Sequence, residues 1–132
     1  MNALVQDLLP PSLHDLVEVI GLRAALALVE RWGGTRVYIP EHAPGSDHPL
    51  AQQIGQEATR KLCRAYAGET MSVPRAYRAL RAALYRQIRH DYHQRGRSAA
   101  ELAREHGMTE RWVYAIVSSA EGDRLSPQLG LL

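Results

Sequence analysis

The sequence predicts a mostly α-helical chain, with a duplicated helix-strand unit and a short β-ribbon in front and a helix-turn-helix domain behind. Three observations lead there: an apolar pattern that recurs after 34 residues, an arginine-studded amphipathic segment between Pro74 and Arg97, and a capped pair of short helical patterns between Ser98 and Ser118. The expected boundaries are 1–74 for the duplicated interaction unit, with copies at about 16–40 and 50–74, then 75–120 for the helix-turn-helix domain and 121–132 for a loose tail.

The first helix is expected from Pro11-Ser12, a proline and an N-cap, followed by Leu13, Leu16, Val17 and Ile20 at helical spacing. Gly21 interrupts without ending the pattern, which Ala24, Ala25, Leu28 and Val29 carry on to Trp32, where Gly33-Gly34 stops it. In Thr35-Arg36-Val37-Tyr38-Ile39-Pro40 the β-branched and aromatic residues favour a strand, and its terminal proline suits a sheet edge or a two-stranded ribbon. After a loop from Glu41 to Pro49, in which Asp47 is the expected N-cap, the pattern returns. A shift of 34 residues pairs Leu16 with Leu50, Ile20 with Ile54, Gly21 with Gly55, Ala24 with Ala58, Leu28 with Leu62, Gly34 with Gly68 and Pro40 with Pro74. One helix with one short strand cannot bury its own apolar face, but two copies can cover each other, within one chain or between two.

From Pro74 onward Ala76, Leu80, Leu84, Ile88 and Tyr92 step down one helical face, while Arg75, Arg78, Arg86, Arg89 and His93 lie opposite. The net charge of +2 conceals this asymmetry: residues 1–59 carry −4, residues 60–97 carry +8 and residues 98–132 carry −2. Fifteen of the sixteen cations are arginine, whose planar fork suits phosphate oxygens. A solvated helix face is the alternative reading of such a run.

Ser98 caps the next helix, with Glu101 placed to complete a capping box and Leu102 and Ala103 facing inward. Gly107 supplies a tight turn, and Thr109 caps a second helix anchored by Val113 and Ile116. Its outward residues are Thr109, Glu110, Arg111 and Tyr114, the N-terminal positions that meet base edges in a major groove of double-stranded DNA. Arg111 suits guanine and Glu110 a cytosine amino group, while Tyr114 suits a thymine methyl or a phosphate. Arg89, Arg95, Arg97 and Ser98 are phosphate candidates; Trp112 either joins them or packs against the domain. A plain helical hairpin, or a surface that binds protein instead of DNA, is the competing reading.

At 45% hydrophobic and 23% charged residues, the 132-residue chain has apolar material for one or two small cores. Its lone cysteine, Cys63, excludes a disulfide scaffold and a zinc ribbon and fits a reducing, cytoplasmic setting. No basic flank precedes the short apolar run in Met1–Leu9, which argues against a secretory signal. The apolar run Ala24 to Val29 falls far short of the roughly 20 residues of a membrane helix, so no membrane partner is expected. His90 and His93 would need further ligands to hold a metal, and neither a phosphate-binding glycine loop nor a nucleophile elbow is present, so the chain reads as no enzyme, with no cofactor and no metal.

The order of helix, Gly33-Gly34, a Val37-Tyr38-Ile39-Pro40 strand, an amphipathic helix and a helix-turn-helix from Glu101-Leu102-Ala103 to Val113-Tyr114-Ala115-Ile116 resembles the Mor family of bacteriophage middle-operon transcription activators. The resemblance covers most of residues 50–118 and, through the duplicated copy, residues 16–40. It implies a homodimer with an intertwined N-terminal dimerisation unit, whose C-terminal helix-turn-helix units grip an imperfect inverted repeat and help host RNA polymerase. It also implies that the strand after Gly-Gly lies near DNA, which marks Arg36 and Tyr38; the second copy has Thr70 and Ser72 at those positions. Glu121 to Leu132 is nearly neutral where the family has a basic tail.

Overall fold

Helix α1 (His14–Trp32) follows a single 3-10 turn over Pro11–Leu13, in a computed structural model that describes Leu9 and residues 11–118. Because that turn closes with 3-10 geometry, Leu13 takes the N-cap position expected of Ser12, without a side-chain cap. Gly21, at φ 86° and ψ 163°, is non-helical and breaks α1 into two helical pieces that meet at a kink. Strand β1 (Arg36–Tyr38) comes next, then helix α2 (Pro49–Ile54), which is capped by His48 and not by Asp47: the His48 ring Nδ1 accepts a hydrogen bond from the Leu50 amide at 3.1 Å. Gly55, at φ 93° and ψ 156°, separates α2 from helix α3 (Gln56–Tyr66), and strand β2 (Thr70–Ser72) follows.

The two strands pair antiparallel within the chain, with Val37 opposite Met71, Arg36 opposite Ser72 and Tyr38 opposite Thr70. Around them the backbone hydrogen bonds fall into couples whose members differ by 34 residues at both ends. Gly34 N–H donates to Val73 O at 2.7 Å and Gly68 N–H to Ile39 O at 2.8 Å; Ile39 N–H donates to Glu69 O and Val73 N–H to Thr35 O, both at 2.8 Å. Directly opposed residues share a face, so Arg36, Tyr38, Thr70 and Ser72 form one exposed surface, while Ile39 and Val73 at the strand ends are buried. The core beneath comprises Leu16, Ile20, Leu28, Leu50, Leu62 and Leu80, with Cys63 among them. Burial pushes the Cys63 thiol above its usual range, as suits a small packed hydrophobe.

Contacts divide the chain into two compact units, the first ending at Leu80 and the second beginning at Arg81. That division falls inside helix α4 (Tyr77–His93), a few residues past the boundary expected at Pro74. Since α4 opens at Tyr77, Arg75 precedes the helix instead of lying on its polar face, and its side chain lies over Gly34. The second unit continues with helix α5 (Ala99–His106) and helix α6 (Glu110–Ser118). Its core is Ala83, Leu84, Tyr85, Ile88, Leu102, Ala103, Trp112, Val113 and Ile116. Among the described residues, no helix is long and apolar enough to cross a membrane. The tail expected over 121–132 lies outside the described residues.

Candidate nucleic-acid interface

The second unit is assembled from caps and a turn that its sequence specifies locally. Ser98 Oγ accepts the Glu101 amide at 3.1 Å, and Glu101 Oε1 accepts the Ser98 amide at 2.9 Å, which closes the capping box. This bonding holds the Glu101 carboxyl below its ordinary value, the backbone hydrogen bond from Ser98 being the largest cause. Gly107 ends α5 in the left-handed region at φ 66° and ψ 39°, where a side chain would be strained. Its amide and that of Met108 both bond to Ala103 O, so the chain reverses within three residues. Thr109 Oγ1 then accepts the Trp112 amide at 3.0 Å and starts α6.

Helix α6 divides cleanly. Trp112, Val113, Ile116 and Val117 are buried, while Thr109, Glu110, Arg111 and Tyr114 are exposed. Tyr114 is 51% accessible, one of two large exposed rings among the described residues, with Tyr38 the other. Trp112 departs from its place among the phosphate candidates: it is 2% exposed and meets Tyr85 of α4 edge to face at 5.9 Å. It lies on the α6 side of Val113 and Ile116, so the amphipathic division takes it inward.

The arginines sort by partner. Arg95 is exposed, its Nη1 3.7 Å from Asp91 Oδ1. Arg97 is half-buried between Asp91 Oδ2, at 3.9 Å, and Glu105, which accepts its hydrogen bond; that bond raises the already high guanidinium pKa. Arg89 is half-buried as well, with Nη1 sealed from solvent. The structure thus gives Arg95 the open position and makes Arg97 a staple between the end of α4 and α5. Ser98 remains exposed beside its cap. Arg36 and Tyr38 stand on the ribbon surface of the first unit, Tyr38 at 58% exposure, together with Thr70 and Ser72.

Four residues outside the expected site shape it. Asp91 is 4% exposed and accepts from Gln87 Nε2 at 2.9 Å in addition to its two arginines. Tyr85 widens the apolar stripe of α4 next to Leu84, and Tyr92 meets the Tyr114 ring. Spacing counted Tyr92 on the apolar face but gave no sign of its partner. His93, which shares the end of α4 with His90, has its Nε2 2.9 Å from Val117 O.

The residue pattern of the Mor transcription activator family matches residues 43–128. The chain belongs to this family. No curated protein and no solved structure matches it. The Mor match opens in the loop before α2 and takes in α2, α3, β2, α4, α5 and α6, while α1 and β1 precede it. Thr70 and Ser72 therefore lie inside the matched stretch and Arg36 and Tyr38 outside it, although the ribbon presents all four on one surface. Membership of a transcription activator family assigns the Mor chain to transcription regulation, work done at DNA.

Proposed function

We propose that the chain is a sequence-specific transcription activator, of phage or prophage type, whose α5–turn–α6 segment is a helix-turn-helix that seats α6 in the major groove of double-stranded DNA. The observation that carries this is the division of α6: four buried anchors hold one side, and the other side projects Glu110, Arg111 and Tyr114 from its N-terminal half. Arg111 reads guanine through a bidentate contact, and Glu110 accepts from a cytosine amino group. Tyr114 meets a thymine methyl, while Thr109, Ser98 and Arg95 meet phosphates. Arg89 and Arg97, held by internal partners, shape this surface more than they extend it.

The first unit is a tandem duplication in this reading, supported by the 34-residue spacing of its paired hydrogen bonds and glycine breaks. Its ribbon surface, Arg36, Tyr38, Thr70 and Ser72, is a second DNA contact. The chain acts in the cytoplasm as a homodimer that helps host RNA polymerase. Because β1 and β2 pair with one another, surfaces other than that strand pairing join the two copies.

Selection of binding sites from random duplexes, followed by footprinting, tests the reading. An inverted repeat with half-sites about 34 Å apart, or a multiple of that, is expected for two copies. Failure to enrich any sequence, with weak binding equal on all duplexes, overturns it. A single uninterrupted half-site retains the groove contact and removes the dimer.

A further inference from the structure

The end of α4 meets α6 at two points one residue apart. The Tyr92 ring lies edge to face against Tyr114, with centroids 6.4 Å apart and planes at 83°. The next residue, His93, has its Nε2 2.9 Å from Val117 O, in the last turn of α6. Tyr92 and His93 also brace one another, their rings perpendicular at 5.1 Å. Tyr114 and Val117 are three residues apart on a helix and so stand one above the other.

Each contact restrains a different freedom of α6. The hydrogen bond from His93 holds the axial position of the last turn, whereas the Tyr92 ring limits where the exposed Tyr114 side chain can point. Tyr114 is the largest side chain that α6 exposes, and an exposed tyrosine without a neighbour would spread over its rotamers. Ordering it beforehand removes an entropic cost that binding would otherwise carry.

We propose that Tyr92, braced by His93, is a positioning residue that pre-orders Tyr114 and thereby sets base preference at the pair Tyr114 meets. This rests on the DNA reading above, and Tyr92 itself touches no base in it. The phenol oxygen plays no part, because the contact is made by ring edges and faces.

The test uses the full chain and the duplex obtained by selection, with a second duplex altered at the Tyr114 base pair. Tyr92→Phe should leave the affinity ratio of the two duplexes unchanged. Tyr92→Leu, which keeps apolar bulk if Tyr92→Ala proves unstable, should lower that ratio about two- to tenfold, the worth of one edge-to-face pair. In a Tyr114→Ala background Tyr92→Leu should change the ratio no further, since the effect runs through Tyr114. His93→Gln, which keeps a donor for Val117 O, should restore part of what His93→Ala loses.

An unchanged ratio in Tyr92→Leu, or losses that simply add in the double variant, overturns the proposal. If the wild-type chain enriches no duplex, the DNA reading falls. The ring-proton shifts of Tyr114 in the free protein then decide the remaining point: movement in Tyr92→Leu but not in Tyr92→Phe supports the positioning contact, and no movement in either overturns it.

Discussion

At the scale of single residues, burial separates Trp112 from Arg111 although they are neighbours in the chain. Trp112→Ala should destabilise the protein by about 3–5 kcal/mol, as removal of a large buried aromatic does, whereas Trp112→Phe should cost much less. The indole Nε1 has no hydrogen-bond partner among the described residues, so phenylalanine gives up little polar bonding. Urea unfolding of the two variants checks this. Arg111→Ala should leave folding unchanged and weaken selected-site binding by about 1–3 kcal/mol, with little effect on random DNA; equal losses on both would make Arg111 a phosphate contact. Glu101 supplies the pH dependence. Its folded pKa lies below the ordinary value of 4.5, so its charge stabilises the fold above that value, and the contribution is lost as pH falls through the lower folded pKa. The melting-temperature gap between wild type and Glu101→Gln should therefore shrink on acidification from pH 6 to pH 3. The cap residues Ser98, Glu101, Gly107 and Thr109 were legible in the sequence because each acts on backbone groups within four positions of itself. Trp112 was legible in part: it stands four residues before Ile116, on the buried side of α6, but its edge-to-face partner Tyr85 comes from another helix and leaves no local signal.

At the scale of elements, the ribbon and the end of α4 carry the specific predictions. Ile39→Ala, which empties a fully buried position at the end of β1, should cost about 2–5 kcal/mol by thermal unfolding. Asp91→Ala should cost about 1–3 kcal/mol, because hydrogen bonds to a buried carboxylate are lost and Gln87, Arg95 and Arg97 lose a shared partner. If Asp91→Ala unfolds like the wild type, Arg97 is held by Glu105 alone. Element order and kind were legible from periodicity, because glycines and prolines punctuate it: Gly21 breaks α1 into two pieces at a kink and Gly55, with nearly the same backbone angles, divides α2 from α3. Helix starts were less so. His48 takes the cap in place of Asp47 because an imidazole nitrogen can accept an amide, which lies outside the usual set of capping side chains. The polar face of α4 was overdrawn for a related reason: a helical projection places Arg89 outward, but long arginine side chains fold back along the protein and find partners.

For the molecule as a whole, the segment charges bear on affinity. Binding through six to ten phosphates should weaken by about three to five orders of magnitude between 50 and 200 mM salt, and a filter-binding titration would show it; a flat response would mean a mainly apolar partner. Whether the two strands pair within a chain or between chains could not be read from residues alone, since the same register serves both, and the structure closes the ribbon internally. That closure has a consequence for symmetry. Two identical strands crossing at a twofold axis would show the same pair of side chains at either end and could not distinguish forward from backward. Here one end offers arginine beside serine and the other tyrosine beside threonine, so the surface has a polarity that no pairing of equal strands could give it.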